Sequence, residues 1–166
     1  MRNMTNLLPR LLSCLLAATL SISMSVAWAQ SDDPVENPRV LMKTTDGDIT
    51  IELFADKSPI TVENFLRYVD DGHYDGTVFH RVISNFMIQG GGFDAELKAK
   101  PTRDPIVNES KNKLHNTRGT LAMARTSDPD SAAAQFFINQ RSNLRLDWAA
   151  GKDGYSVFGE VIDGMQ

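Results

Sequence analysis

The stretch FHRVISNFMIQGGGF, from Phe79 to Phe93, holds the residues of this chain best placed to do chemistry. It reads as a strand, a short turn and a second strand, which sets Arg81 and Gln89 beside the Phe86–Met87 pair. A cation next to an apolar patch is costly unless something uses it. One reading is an arginine on a solvated face whose aliphatic stem covers apolar surface. The other is a site that holds an apolar ring and donates a charged hydrogen bond to it. A second segment, Gln135-Phe136-Phe137-Ile138, again sets a glutamine beside aromatic residues. A period of two sends Phe136 and Ile138 to one face and Gln135 with Phe137 to the other, just as it puts Met87 and Gln89 on one face of their own strand. With aromatic rings on both faces, one of those faces is not plain solvent.

Other chemistries find little footing. No Gly-x-Ser-x-Gly elbow is present to make a hydrolase from His73, His80 or His115. The three histidines also lack metal-ligand spacing. His80 alternates with Arg81 and is expected on the core side, as a satisfied structural histidine. Gln89-Gly90-Gly91-Gly92 is not followed by Lys-Ser/Thr or a helix start, so it reads as a tight turn with close backbone approach rather than a phosphate loop.

The elements around these residues follow from periodicity. Val40 to Thr45 and Ile49 to Phe54 flank Asp46-Gly47-Asp48, a hairpin signal in which glycine supplies a positive φ. Ile49, Ile51 and Leu53 alternate with Thr50 and Glu52, so one face of the second strand is buried. Ser58 is expected to cap a helix with Pro59 in its first turn. Val62, Phe65, Leu66 and Val69 form the stripe that lies on a sheet, and Asp71-Gly72 ends it. Asp94 to Arg118 reads as loop with a short extended piece at Ile106-Val107. Strands follow at Thr120 to Ala124, Gln135 to Asn139 and Tyr155 to Val161, with a loop from Arg125 to Ala134. Short strands, one early helix and long loops point to a mainly antiparallel barrel or sandwich with a helix packed at one end.

Residues 1–29 read as a secretory signal peptide: Arg2 and Arg10 at the start, an apolar stretch from Leu11 to Val26, then Ala27-Trp28-Ala29 before Gln30. That stretch falls short of the roughly 20 residues a membrane span needs. Leu11-Leu12-Ser13-Cys14 loosely resembles a lipoprotein cleavage box, but Pro9 and Arg10 stand where a full apolar core should precede it. Cleavage is therefore expected after Ala29. It removes the only cysteine, so neither disulfides nor thiol chemistry remain. A cysteine-free exported domain fits a bacterial periplasm. Residues 30–39, with Pro34 and Pro38 among acids, read as a flexible leader before a single domain at 40–166. The chain carries 17 basic and 21 acidic side chains; loss of Arg2 and Arg10 takes its net charge from −4 to about −6. That argues against nucleic-acid binding, which wants a basic stripe.

FHRVISNFMIQGGGF and QFFIN, with GTLAMAR between them, resemble the two signature stretches of the cyclophilin-type peptidyl-prolyl isomerases. The resemblance runs from about Val40 to the last residue. NTRGTLAMARTSDPDSAAAQFFIN looks most like the periplasmic bacterial branch. The resemblance implies a mainly β fold, a cyclophilin-like antiparallel β-barrel with a packed helix, its C-terminal helix and closing strand missing from this chain. It implies a cis-trans isomerase of Xaa-Pro bonds that assists folding of exported proteins and needs no cofactor. Its partners would be proline-containing unfolded or partly folded polypeptides; a monomer is the default expectation, and no stable membrane association is expected after signal cleavage.

By the same resemblance Arg81 is the catalytic arginine, and Phe86, Met87, Phe137 and Leu146 line the proline pocket. Gln89 and Gln135 bind substrate and hold Arg81. Ala124 and the Arg125 backbone pair with the bound peptide, and Tyr155 takes the place of a histidine found in many members. Arg145 stands where many members carry a tryptophan, which implies a more basic rim and weak cyclosporin sensitivity. The rival from another class is a binding module or chaperone of the same shape that holds proline segments without turning them over.

Overall fold

The structure, a computed structural model, describes residues 36–166. The expected signal peptide, Cys14 and the first part of the expected leader lie outside the described residues. Seven strands and one α-helix make up the domain: β1 (Arg39–Thr44), β2 (Gly47–Leu53), α1 (Pro59–Asp70), β3 (Arg81–Ile83), β4 (Met87–Gly90), β5 (Thr120–Met123), β6 (Phe136–Asn139) and β7 (Val157–Asp163). They form one antiparallel sheet in the order β1-β2-β7-β5-β6-β4-β3, curled as a half-barrel with β1 and β3 as its edges. Register shifts at Thr50/Ile51 and Leu121/Ala122 mark bulges, which sharpen the local twist.

The alternation expected of β2 holds, with Ile51 and Leu53 fully buried. Together with Leu121, Met123, Phe136, Ile138 and Phe158 they build the core on the concave side, closed by Val62 and Phe65 of α1. Phe65 meets Phe158 at 5.2 Å and Phe136 edge-on at 5.5 Å. Tyr68 is buried on the same helix although it stands outside the apolar stripe; its hydroxyl accepts from the Arg103 N–H at 2.7 Å. A hollow of about 1200 Å³ opens on this side between the sheet edges, lined among others by Val40, Met42, Phe65, Phe136, Ile138 and Val161. It contains neither Arg81 nor Gln89 or Gln135.

Several expectations need correction. The first strand begins at Arg39, which pairs with Glu52, and the Pro38 carbonyl already accepts from Leu53 N–H at 2.8 Å. The ordered domain therefore takes in the end of the supposed leader. Thr44 and Gly47 face each other across the first hairpin, so its two turn residues are Thr45 and Asp46, one position earlier than expected. Gly47 does have the anticipated positive φ, +133°. Ser58 sits at the helix start without capping it. Its hydroxyl is fully buried and donates to the Val157 carbonyl at 2.7 Å. The cap comes instead from Glu109, whose carboxylate accepts from Ile60 N–H at 3.2 Å and Thr61 N–H at 2.8 Å. Anionic charge at that end also opposes the positive pole of the helix dipole. His80 lies half-buried against the Phe93 ring at 4.6 Å, and its Nδ1 finds no partner among the described residues. The expected satisfied histidine is therefore not found at this nitrogen.

Candidate active site

Strand register assembles the central row of the site. Arg81 pairs with Gln89, Gln89 with Phe137, Phe137 with Ala122 and Ala122 with Val157. One row thus crosses β3, β4, β6, β5 and β7, and residues in a row share a face. On the convex side Phe137, Ala122 and Val157 of this row form a second apolar cluster with Met87, and Phe86, Ala124, Leu146 and Tyr155 pack against it in part exposure. Met87 and Phe137 are buried, so they make the floor. The more exposed Phe86, Leu146 and Tyr155 make walls. Tyr155 meets Phe137 nearly edge-on, 5.5 Å between ring centres at 78°.

A chain of polar groups runs beside that floor. Arg81 Nη1 donates to Gln89 Oε1 at 3.3 Å, and Gln89 Nε2 donates to Gln135 Oε1 at 2.9 Å. The donation from Arg81 fixes which end of the Gln89 amide is oxygen, and the relay then presents the NH₂ of Gln135 as a donor. Arg81 is exposed, and none of the ion pairs among the described residues involves it. Its charge remains available at the edge of an apolar floor.

Gly92 explains how Gln135 gets there. A Cβ on Gly92 would stand 2.5 Å from Gln135 Cγ and 2.6 Å from its Nε2, so only glycine lets the glutamine lie across this backbone. The close approach expected of the glycine run is real, and it seats the Gln135 side chain.

The far wall is held by loops. Arg125 stacks over Tyr155 at 4.6 Å, while its guanidinium donates to the carbonyls of Thr126 at 2.9 Å and Asp153 at 2.8 Å. Ala124 N–H donates to the Gln135 carbonyl at 2.9 Å, so this N–H is not open to a peptide. Tyr155 N–H donates to the Leu146 carbonyl at 2.9 Å, closing the loop between them. Arg145 places its guanidinium 5.0 Å from the Phe86 ring centre. Trp148 stands apart: it is 43 % exposed, lies 5.9 Å from Lys111 Nζ, and is not among the residues packed on the pocket cluster.

Behind the walls sits a buried polar network that the sequence analysis missed. Asn143 Nδ2 donates to the Phe86 carbonyl at 2.9 Å and to Asn139 Oδ1 at 2.8 Å. Asn139 in turn donates to Asn116 Oδ1 at 3.2 Å and Thr120 Oγ1 at 3.0 Å. Asp147 accepts from Asn116 N–H at 2.7 Å and pairs with His115 at 2.8 Å. Burial would raise the Asp147 carboxyl, but the hydrogen bonds from Asn116 and His115 outweigh it and hold it below the usual carboxylate range. The network links Phe86 to the turn that carries Arg145 and Leu146. Asn139, a polar side chain ending the apolar run Phe136 to Ile138, was its one sequence signal.

All the residues singled out from sequence therefore converge: Arg81, Gln89 and Gln135 by hydrogen bonds, the rest by packing. An antiparallel half-barrel with this row of side chains across its convex face defines the class. The family described as cyclophilin type peptidyl-prolyl cis-trans isomerase/CLD matches residues 39–166. A peptidyl-prolyl cis-trans isomerase of Acinetobacter baylyi is 58 % identical over 129 residues, covering 78 % of this chain and 69 % of the relative. Peptidyl-prolyl cis-trans isomerase A of Dickeya dadantii is 45 % identical over 152 residues, 92 % of this chain and 80 % of the relative, a match that reaches into the first 35 residues. Among solved structures, a cyclophilin-type isomerase of Cryptosporidium parvum, determined in the presence of the dipeptide Ala-Pro, superposes with a TM-score of 0.64 at 32 % identity, covering 76 % of this chain and 80 % of that one. The chain belongs to the cyclophilin-type peptidyl-prolyl cis-trans isomerases, and it is an isomerase of Xaa-Pro peptide bonds.

Proposed function

We propose that the proline ring of the substrate docks on Met87 and Phe137 between Phe86, Leu146 and Tyr155, and that Arg81 is the catalytic residue. Rotation about an amide sacrifices resonance at a cost of roughly 18–20 kcal/mol. In the twisted state the proline nitrogen turns pyramidal and gains a lone pair, which the planar amide lacks. A guanidinium donating to that nitrogen binds the twisted form better than the planar one, and this differential binding lowers the barrier. A charge-assisted hydrogen bond nets about 1.5–3 kcal/mol, or one to two decades of rate at about 1.36 kcal/mol each. The apolar floor adds to this, because the planar amide is the more polar state and loses more when water leaves. Gln89 steadies Arg81, and Gln135 donates to a substrate carbonyl. The Ala124 carbonyl and the Arg125 N–H pair with the extended peptide.

The observation that carries the reading is the unbroken chain Arg81–Gln89–Gln135 lying against the Phe137 floor. The test is isomerisation of acetyl-Ala-Ala-Pro-Ala-amide followed by NMR exchange. Arg81→Ala should lower kcat/KM by about ten- to a hundred-fold with an unchanged thermal midpoint, since Arg81 is exposed. Full turnover in Arg81→Ala would remove this mechanism, and binding without turnover by the wild type would favour a holding module.

The same proposal extends to location. Cleavage after Ala29 would release a periplasmic enzyme of the bacterial branch, acting on exported polypeptides as they fold. The basic start, the apolar stretch and Ala27-Trp28-Ala29 support it. Cell fractionation followed by N-terminal sequencing should find Gln30 first in the periplasmic fraction.

A further inference from the structure

The chain is acidic, with a formal net charge of −4, yet its pocket is ringed by Arg81, Arg125 and Arg145. The three differ in how they are held. Arg81 is engaged by Gln89. Arg125 is spent on the loop carbonyls of Thr126, Asp153 and Gly154. Arg145 is exposed, has its guanidinium over the Phe86 face, and takes part in no ion pair among the described residues. The nearby carboxylates do not neutralise it. Asp147, two residues on, gives its oxygens to Asn116 and His115. Asp153 makes its contact here through its backbone carbonyl.

A guanidinium resting on an aromatic face still presents its N–H groups to a carboxylate, and arginine suits that planar acceptor. We propose that Arg145 makes this site favour proline segments in which a residue flanking the proline is acidic. This rests on the pocket assigned above, because Arg145 reads the flank only if proline occupies the floor beside Phe86. A carboxylate at the rim is partly solvated, so the preference is modest and falls with salt.

The test compares acetyl-Ala-Xaa-Pro-Ala-amide and acetyl-Ala-Ala-Pro-Xaa-amide, with Xaa as Glu or its neutral isostere Gln, by NMR exchange at low salt. The wild type should turn over the Glu peptide about two- to five-fold better than the Gln peptide at one of the two positions. The ratio should fall towards one in Arg145→Ala and in high salt, survive in Arg145→Lys, and invert in Arg145→Glu. Using the ratio cancels any general loss of turnover in the variants. A wild-type ratio of one at both positions, or a preference untouched by Arg145→Glu, overturns the proposal. Failure of the wild type to isomerise even the Gln peptides would instead indict the catalytic reading. The Glu/Gln comparison would then be read as relative affinity from chemical-shift titration, with the same ratios deciding it.

Discussion

Phe136 and Phe137 are neighbours in one short strand, both almost fully buried, and they serve opposite ends. Phe136 points to the concave side, where Phe65, Tyr74 and Phe79 all meet it edge-on within 6.3 Å. Phe137 points to the convex side, where one ring, Tyr155, meets it and Gln89 stands opposite across the sheet. On the concave side protein rings surround Phe136 and build the core that holds the domain together, although Phe136 also lines the hollow of about 1200 Å³. The convex side has an apolar floor with polar groups along its edge, which suits a transient occupant. Burial alone does not distinguish the two; the partners do.

The sharpest way to break this contrast is truncation at the two positions. Phe136→Ala should cost about 3–5 kcal/mol, the usual toll for a large core ring, measured by urea unfolding. Phe137→Ala should cost clearly less stability but lower kcat/KM more than ten-fold. Equal stability losses with equal activity losses would dissolve the distinction. Next comes Gly92→Ala: its new methyl must displace Gln135, so turnover should drop about ten-fold, one amide hydrogen bond's worth. The thermal midpoint should move far less than for Phe136→Ala.

Glu109→Ala offers the converse. It removes the cap of α1 and should cost about 0.5–2 kcal/mol of stability while leaving kcat/KM nearly unchanged, because α1 packs only on the concave side. The smallest expected effect belongs to Asp147. Its carboxyl is held below the ordinary value, so it contributes stability that is present above about pH 4 and lost as pH falls through the folded value. The gap in thermal midpoint between wild type and Asp147→Asn should therefore be widest near pH 7 and narrow towards pH 3. A gap independent of pH would show that the charge of Asp147 does not hold the wall.

Much of this was legible because strand period is local. Parity along the chain is enough to separate Phe136 from Phe137 and to set Met87 with Gln89. The helix was equally readable up to its start, where Ser58 looked like a cap. The residue that does cap it lies 48 positions away in sequence from Thr61, and no local pattern could reveal Glu109. Asn116, Asn139 and Asn143 escaped for a related reason. A buried asparagine is affordable only when its partners are in place, and those partners come from separate loops.

What the chain determined by itself was therefore which side chains share a face, where the strands and helix run, and which residue types could stabilise a twisted imide. Tertiary structure decided the rest. It placed β3, β4, β6, β5 and β7 side by side, so that Arg81, Gln89, Phe137, Ala122 and Val157 became one row. It also left Arg145 on Phe86 with its charge unspent. Register and loop closure depend on contacts between distant segments, and those contacts exist only once the backbone hydrogen bonds of the whole sheet have been satisfied together.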